Sequence, residues 1–416
     1  MKQLKGACLI GQSGGPTSVI NASVLGCVEA ALKSENVTKV YGAAHGIKGV
    51  LNDRLYDLSL EDPEELSLIK YTPSAVLGSC RYKLADFLVD DTDYKRILDI
   101  FRKYDIRYFF YNGGNDSMDT CSKISSYLLQ HGYECKVMGI PKTIDNDLAC
   151  TDHCPGYGSA AKYIATTCME VYRDATVYDV GSITIMEIMG RNAGWLTAAS
   201  AIASHMDQGP DLIYLPEVPF DMADFISDVK SVYDKKGDAF VAVSEGIVDK
   251  NGSYISSYFT DATKEVDAFG HAKMGGLAYG LASYVSSKID AKTKGIELGI
   301  IQRCAAHLAS ATDIEETYNL GAAAFKAAES GITDKMVALE REAGPDYSCK
   351  IKLVDLIEVA NVEKKVPREW INEAGNGILQ PFIDYALPLI QGQNPVPLKD
   401  GLPRYARLKR ILTRDI

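Results

Sequence analysis

The chain has 416 residues, 46% of them apolar and 24% charged, and a formal net charge of −11. That length exceeds one ordinary core and points to two domains with an added terminal layer. The acidic balance disfavours nucleic acid or an anionic membrane as partner, since both need a broad basic surface.

No run approaches 18 apolar residues, and the first six residues have neither an apolar signal core nor a small-residue cleavage site. A cytoplasmic protein is expected. The ten cysteines are scattered without any Cys-x-x-Cys, which suits reduced thiols.

The first expected strand covers residues 7–10. It runs into Gly11-Gln12-Ser13-Gly14-Gly15-Pro16-Thr17-Ser18, after which Ile20, Val24, Val28 and Leu32 mark one face of a helix. Glycines allow close backbone approach, and a helix N-terminus offers free amides to an anion. Gly14 and Gly15 are therefore candidates for holding phosphate. The Gly-Lys-Ser/Thr ending of a P-loop is absent. A plain turn capped by Thr or Ser is the alternative.

A second strand, 107–111, leads into Tyr111-Asn112-Gly113-Gly114-Asn115-Asp116-Ser117 and a helix with Met118, Cys121, Ile124 and Leu128 on one face. Asn115 and Asp116 offer the hard oxygens that Mg²⁺ prefers. Here the alternative is a helix start capped by Asp116 or Ser117.

A third strand, 137–140, precedes Pro141-Lys142-Thr143-Ile144-Asp145-Asn146-Asp147. A hydroxyl attacking phosphorus needs a carboxylate base, and the moving phosphoryl group needs a cation. Asp145 and Lys142 supply these, unless the segment is a solvated acidic loop. Cys150, His153 and Cys154 form only half of a metal site. The segment 155–159 reads as a hinge. Gly156-Tyr157-Gly158-Ser159-Ala160-Ala161 matches a dinucleotide fingerprint but lacks the preceding strand that fingerprint requires.

Further strands are expected at 183–188, 212–215, 239–243 and 298–301. Met189-Gly190-Arg191, Glu245 and Gln302-Arg303 stand at the ends of three of them. Guanidinium groups there can fork onto phosphate oxygens, and Glu245 can bond sugar hydroxyls or cap a turn. Ligands of open parallel sheets bind beyond the carboxyl ends of the strands. From about residue 305 the pattern is mostly helical and alanine-rich. Pro381, Pro388, Pro395, Pro397 and Pro403 suggest a surface-wrapping end.

The expected fold is α/β, with two Rossmann-like parallel-sheet domains facing a cleft. Residues 1–155 form a phosphoryl-donor domain, 156–304 a sugar-phosphate domain, and 305–416 a mainly helical extension packing back on the first.

From about Gly6 to Ser310 these motifs, in this order, resemble the phosphofructokinase family. The resemblance implies Mg²⁺-dependent phosphoryl transfer to the 1-hydroxyl of fructose 6-phosphate, with Asp145 as base. It implies that Thr143 and Asp147 hold substrate and metal-bound phosphates. Met189, Gly190, Arg191, Glu245 and Arg303 would bind the sugar phosphate, and Gly14, Gly15, Arg81 and Gly114 the donor. It also implies a homodimer or homotetramer.

Members that use ATP usually carry glycine at the positions of Asp116 and Lys142, whereas members of the diphosphate-dependent branch look like this chain. Asp116 would repel a nucleotide's α-phosphate, and like charges ~4 Å apart cost about 1–4 kcal/mol depending on the local dielectric. Lys142 would neutralise the departing phosphate.

Asn115 stands where a metal-ligating Asp is common. Ser182 and Lys294 replace arginines that reach a neighbouring subunit's site, and Ile300 replaces a sugar-contacting histidine. A seven-carbon sugar phosphate is therefore a further possible acceptor. The rival readings are an ATP-dependent phosphofructokinase and a non-catalytic regulatory subunit.

Overall fold

The computed structural model describes residues 4–259, 275–360 and 362–415. Eleven strands form two main sheets. They are β1 (Gly6–Gln12), β2 (Val37–Ala43), β3 (Leu55–Asp57), β4 (Ile106–Gly113), β5 (Lys136–Pro141), β6 (Ser182–Ile188), β7 (Leu212–Tyr214), β8 (Ala239–Ser244), β9 (Lys292–Glu297), β10 (Lys335–Arg341) and β11 (Cys349–Asp355).

The first sheet has the order β11-β10-β5-β4-β1-β2-β3. Its pairs from β10 to β2 are parallel, and β3 and β11 close the two edges antiparallel. β1 is wholly buried and β4 nearly so, which explains their unbroken apolar runs. The helix Ile20–Leu32 buries Ile20, Val24 and Val28, and Asn115–Gln130 buries Met118, Cys121, Ile124 and Leu128. The first keeps the expected four-residue spacing only as far as Val28, because Leu32, in the last turn of the helix, is 46% exposed; the second keeps its three- and four-residue spacing throughout.

The second sheet, β7-β8-β6-β9, is parallel throughout. Residues 298–301, expected as a strand, instead form part of the 3₁₀ turn Gly299–Arg303. The strand is β9, just before it. Its sequence Lys-Thr-Lys-Gly-Ile-Glu is polar because β9 lies at a sheet edge and is buried on neither face.

The region beyond residue 305 contains the expected alanine-rich helix, Ala311–Glu329, which packs along Ile20–Leu32. It also contains β10 and β11, so the chain returns to extend the first sheet rather than adding helices alone.

All ten cysteines are free. Cys150 is exposed and Cys154 buried, while His153 is bracketed by Asp152 (2.8 Å) and Glu316 (2.7 Å). The Cys150–His153–Cys154 half-site is thus not assembled, because the imidazole is already used in a buried carboxylate network. Gly156 caps the helix Tyr157–Ala175 in a left-handed conformation. The Asp313 carboxylate accepts bonds from Gly156 N and Ser159 N at 2.9 Å each. A fixed carboxylate thus stands where a dinucleotide's pyrophosphate would have to sit.

Candidate active site

In the first sheet β1 is flanked by β2 on one side and β4 on the other, so the chain reverses its direction of growth between β1 and β4. Crevices that bind ligands open at such points. The loops after β1, β4 and β5 meet those after β6, β8 and β9 around a cleft of about 330 Å³. Every candidate residue except Gly190 lines it: Gly14, Gly15, Arg81, Gly114, Asn115, Asp116, Lys142, Thr143, Asp145, Asp147, Met189, Arg191, Glu245 and Arg303. Ser182, Lys294 and Ile300 do not. Lys294 pairs with Asp174 at 3.4 Å, and Ile300 is 65% exposed.

The glycine loop after β1 works differently from the sequence expectation. The Thr17 hydroxyl accepts bonds from Val19 N (3.2 Å) and Ile20 N (2.9 Å), so those helix amides are capped. The cleft is lined instead by the loop backbone itself. Gly14 has φ +75, and an added Cβ would approach Lys142 Nζ to 3.1 Å; one at Gly15 would approach Arg303 Nη1 to 3.2 Å. Gly14 N donates to the Cys80 carbonyl (3.0 Å), and Ser79 Oγ donates to the Gly14 carbonyl (2.6 Å). These bonds fasten the loop that carries Arg81 to the glycine loop.

The helix Asn115–Gln130 begins at Gly114 without a side-chain cap. Neither Asp116 nor Ser117 takes the capping position, which leaves the Asp116 carboxylate on the cleft wall. Asn115 Oδ1 is buried without a hydrogen-bond partner. An orphaned buried oxygen costs free energy unless something binds it. Together with Asp116 it gives a hard-oxygen pair that fits a divalent cation.

Lys142 is almost fully buried, and its Nζ donates to the Gly15 carbonyl at 2.6 Å. Burial lowers its pKa to about 8, while Asp145 and Asp147 hold it up. Asp145 opens onto the cleft from dense surroundings. Burial raises it to about 6 and Glu245 adds to the rise, whereas Lys142, Arg191 and Arg303 oppose it. Asp147 is raised to about 7 by burial, then by Asp145 and Glu363. Two carboxylates held this close titrate as a pair.

Asn146 between them has φ +56, a conformation asparagine tolerates better than most residues. Its side chain turns inward, donating to Tyr385 Oη (2.8 Å) and accepting from Cys154 N (2.9 Å). That anchoring leaves Asp145 and Asp147 to the cleft on either side.

On the opposite wall, Gly190 N donates to Glu245 Oε1 (3.3 Å) and Ser244 Oγ to the Gly190 carbonyl (2.6 Å). Gly190 therefore orients Glu245 rather than facing the cleft. Burial raises Glu245, with the Gly190 amide, Arg191 and Arg303 opposing. Gln302 Oε1 accepts from Met189 N at 3.2 Å, tying the turn that carries Arg303 to the loop after β6.

Asn192, Ala193 and Glu363 also line the cleft and were not anticipated. The first two continue the Met-Gly-Arg motif and could have been read from it. Glu363 arrives from the far end of the chain and carries no local signal.

The phosphofructokinase family matches residues 7–328. The chain is 40% identical over 403 residues to a pyrophosphate--fructose 6-phosphate 1-phosphotransferase of Halomonas elongata, covering 96% of this chain and 95% of that one. It is 41% identical over 410 residues to the protein of the same name from Xanthomonas campestris, covering 98% and 97%. The crystal structure of a pyrophosphate-dependent phosphofructokinase from Marinobacter aquaeolei superposes with a TM-score of 0.87 at 38% identity, covering 98% of this chain and 97% of that one.

Proposed function

This chain belongs to the phosphofructokinase family, and we propose that it is a diphosphate-dependent 6-phosphofructokinase. It transfers a phosphoryl group reversibly between diphosphate and the 1-hydroxyl of fructose 6-phosphate, giving fructose 1,6-bisphosphate and phosphate. The observation that carries the donor assignment is that Asp116 and Lys142 both line the cleft that holds Asp145. Relatives of this chain at about 40% identity bear the corresponding name.

Asp145 accepts the proton of the attacking hydroxyl, and its raised pKa makes it a stronger base than an exposed carboxylate. Lys142, held by the Gly15 carbonyl, points its charge at the phosphate that leaves. Arg81 and the Gly14–Gly15 and Gly114 backbone receive the diphosphate. Arg191, Arg303, Glu245, Met189, Thr143 and Asp147 receive the sugar phosphate, with Gly190 holding Glu245. Asn115 and Asp116 would hold a Mg²⁺ ion, whose charge offsets that of the phosphate oxygens. Donor and product esters have similar phosphoryl potential, so both directions are accessible.

The division into a donor domain, a sugar domain and a C-terminal extension remains our reading of the chain. In it the extension both widens the first sheet and reaches the cleft. No helix among the described residues is long and apolar enough to cross a membrane, and we assign the protein to the cytoplasm. We expect a homodimer or homotetramer, which sedimentation measures directly.

The deciding assay supplies purified protein with fructose 6-phosphate and Mg²⁺, and either diphosphate or ATP. Turnover with diphosphate is expected; turnover with ATP alone would overturn the donor assignment. Asp116→Gly combined with Lys142→Gly is expected to depress diphosphate use by about 10²-fold or more and to raise the ratio of ATP to diphosphate turnover.

A further inference from the structure

Residues 362–366 form a strap that joins the two walls of the cleft, and nothing in its local sequence announces it. On one side it is bonded to the loop after β5. Glu363 bridges antiparallel to Leu148, and Lys364 N donates to the Asp147 carbonyl at 2.7 Å. Lys364 Nζ donates to the carbonyls of Thr151 (3.2 Å) and Asp152 (2.8 Å).

On the other side it is bonded to the segment after β6. Trp195 Nε1 donates to the Lys364 carbonyl at 2.9 Å, and Lys364 Nζ lies 5.1 Å from the Trp195 ring centroid. Val366 N donates to Glu217 Oε1 at 3.0 Å, and the same oxygen accepts from Gly194 N at 2.8 Å. Glu217 Oε2 is buried without a hydrogen-bond partner, against Gly194, where an added Cβ would come within 2.6 Å of it. One carboxylate thus clamps the strap to the end of the loop that carries Met189 and Arg191.

We propose that Glu217 and Lys364 are positioning residues for the phosphoryl transfer: through the strap they fix the Met189–Arg191 loop against the Asp145–Asp147 loop. Neither residue touches the reacting atoms. Their effect is on the registry between the sugar-binding loop and the base, where a misplacement of an ångström is costly in rate. The inference rests on the roles given above to Asp145 and Arg191.

The alternative is that Glu217 and Lys364 merely stabilise the fold. The two are separated by what happens to each substrate. Glu217→Leu removes the acceptor shared by Gly194 and Val366, whereas Glu217→Gln keeps a carbonyl oxygen there. Lys364→Met keeps an unbranched side chain but loses the ammonium over the Trp195 ring and its bonds to Thr151 and Asp152.

For Glu217→Leu we expect the KM for fructose 6-phosphate to rise about tenfold while that for diphosphate stays within about twofold. Glu217→Gln should restore most of the loss. Glu217→Leu and Lys364→Met should be non-additive in kcat/KM, because each breaks the same tie. Calorimetric binding of fructose 6-phosphate to the wild type and to Glu217→Leu reads the same loss without turnover. Absent wild-type turnover would therefore count against the functional assignment alone. A lowered melting temperature with both KM values and the calorimetric affinity unchanged would overturn the inference, as would equal rises in both KM values. If Glu217→Leu does not fold, Lys364→Met carries the test, read by its loss of kcat/KM for the sugar phosphate at unchanged diphosphate KM.

Discussion

Asp145 must be ionised to accept a proton, and Lys142 must be protonated to neutralise a phosphate. Burial raises the first to about 6 and lowers the second to about 8. The forward kcat/KM should therefore fall as the pH drops through about 6, where Asp145 protonates, and fall again above about 8, where Lys142 loses its charge. A pH–rate profile of the free enzyme checks this. Because Asp147 titrates nearby, at about 7, the acid limb belongs to the carboxylate pair rather than to one residue. Asp145→Asn removes the proposed base and is expected to lower kcat by roughly 10²–10⁴-fold. Saturation with fructose 6-phosphate should change far less, since the amide keeps the shape of the carboxylate.

Among the elements, the helix Tyr157–Ala175 matters most to the cleft, because the segment that follows the Asp145–Asp147 loop runs into its N-terminus; residues 157–159, expected as part of a hinge, are the buried first turn of this helix. That terminus is capped by Gly156, which offers no side chain to its amides. Asp313, from the helix Ala311–Glu329, supplies the missing acceptor to two amides, and Ser310 in turn caps the helix on which Asp313 sits. Hydrogen bonds to a charged group contribute about 1.5–3 kcal/mol. Asp313→Ala should thus destabilise the protein by about 2–4 kcal/mol, since two buried amides lose their partner. Urea denaturation monitored by Trp fluorescence, with Trp195 close to the affected helix, measures the loss. Asp313→Asn, which retains one oxygen, should lose less.

At the scale of the whole molecule, ligands that contact both walls bind only the folded chain. Each should raise the melting temperature, with a stabilisation of about 2.7 kcal/mol at a hundredfold excess over its Kd. In the proposed assignment fructose 6-phosphate reaches residues from both sheets, so calorimetry should show a shift with that ligand alone. Glucose, lacking the phosphate, should give none.

The parts of the site legible in the sequence are those built from contiguous residues. Gly14-Gly15, Asn115-Asp116 and Lys142 to Asp147 each follow a buried strand, and a strand's end fixes where its next residues go. Other features were opaque because their signals are weak or distant. β9 is polar because it is an edge, and β10 follows an alanine-rich helix whose pattern masks it. The alternation Lys350, Ile351, Lys352, Leu353 was passed over in a region read as mostly helical, and its pairing with β10 makes it part of the first sheet.

The amino-acid sequence by itself determined the order of the motifs, the chemistry of each loop and the choice between glycine and charged residues that bears on the donor. Tertiary structure alone decided that Thr17 silences the helix amides, that Gly190 serves Glu245, and that Glu363 enters the cleft on a strap. The physical reason is range. A side chain's chemistry is intrinsic and is carried wherever its strand ends. A hydrogen bond between Lys364 and Thr151, 213 residues apart, exists only once two sheets have packed and brought the chain's end back across them.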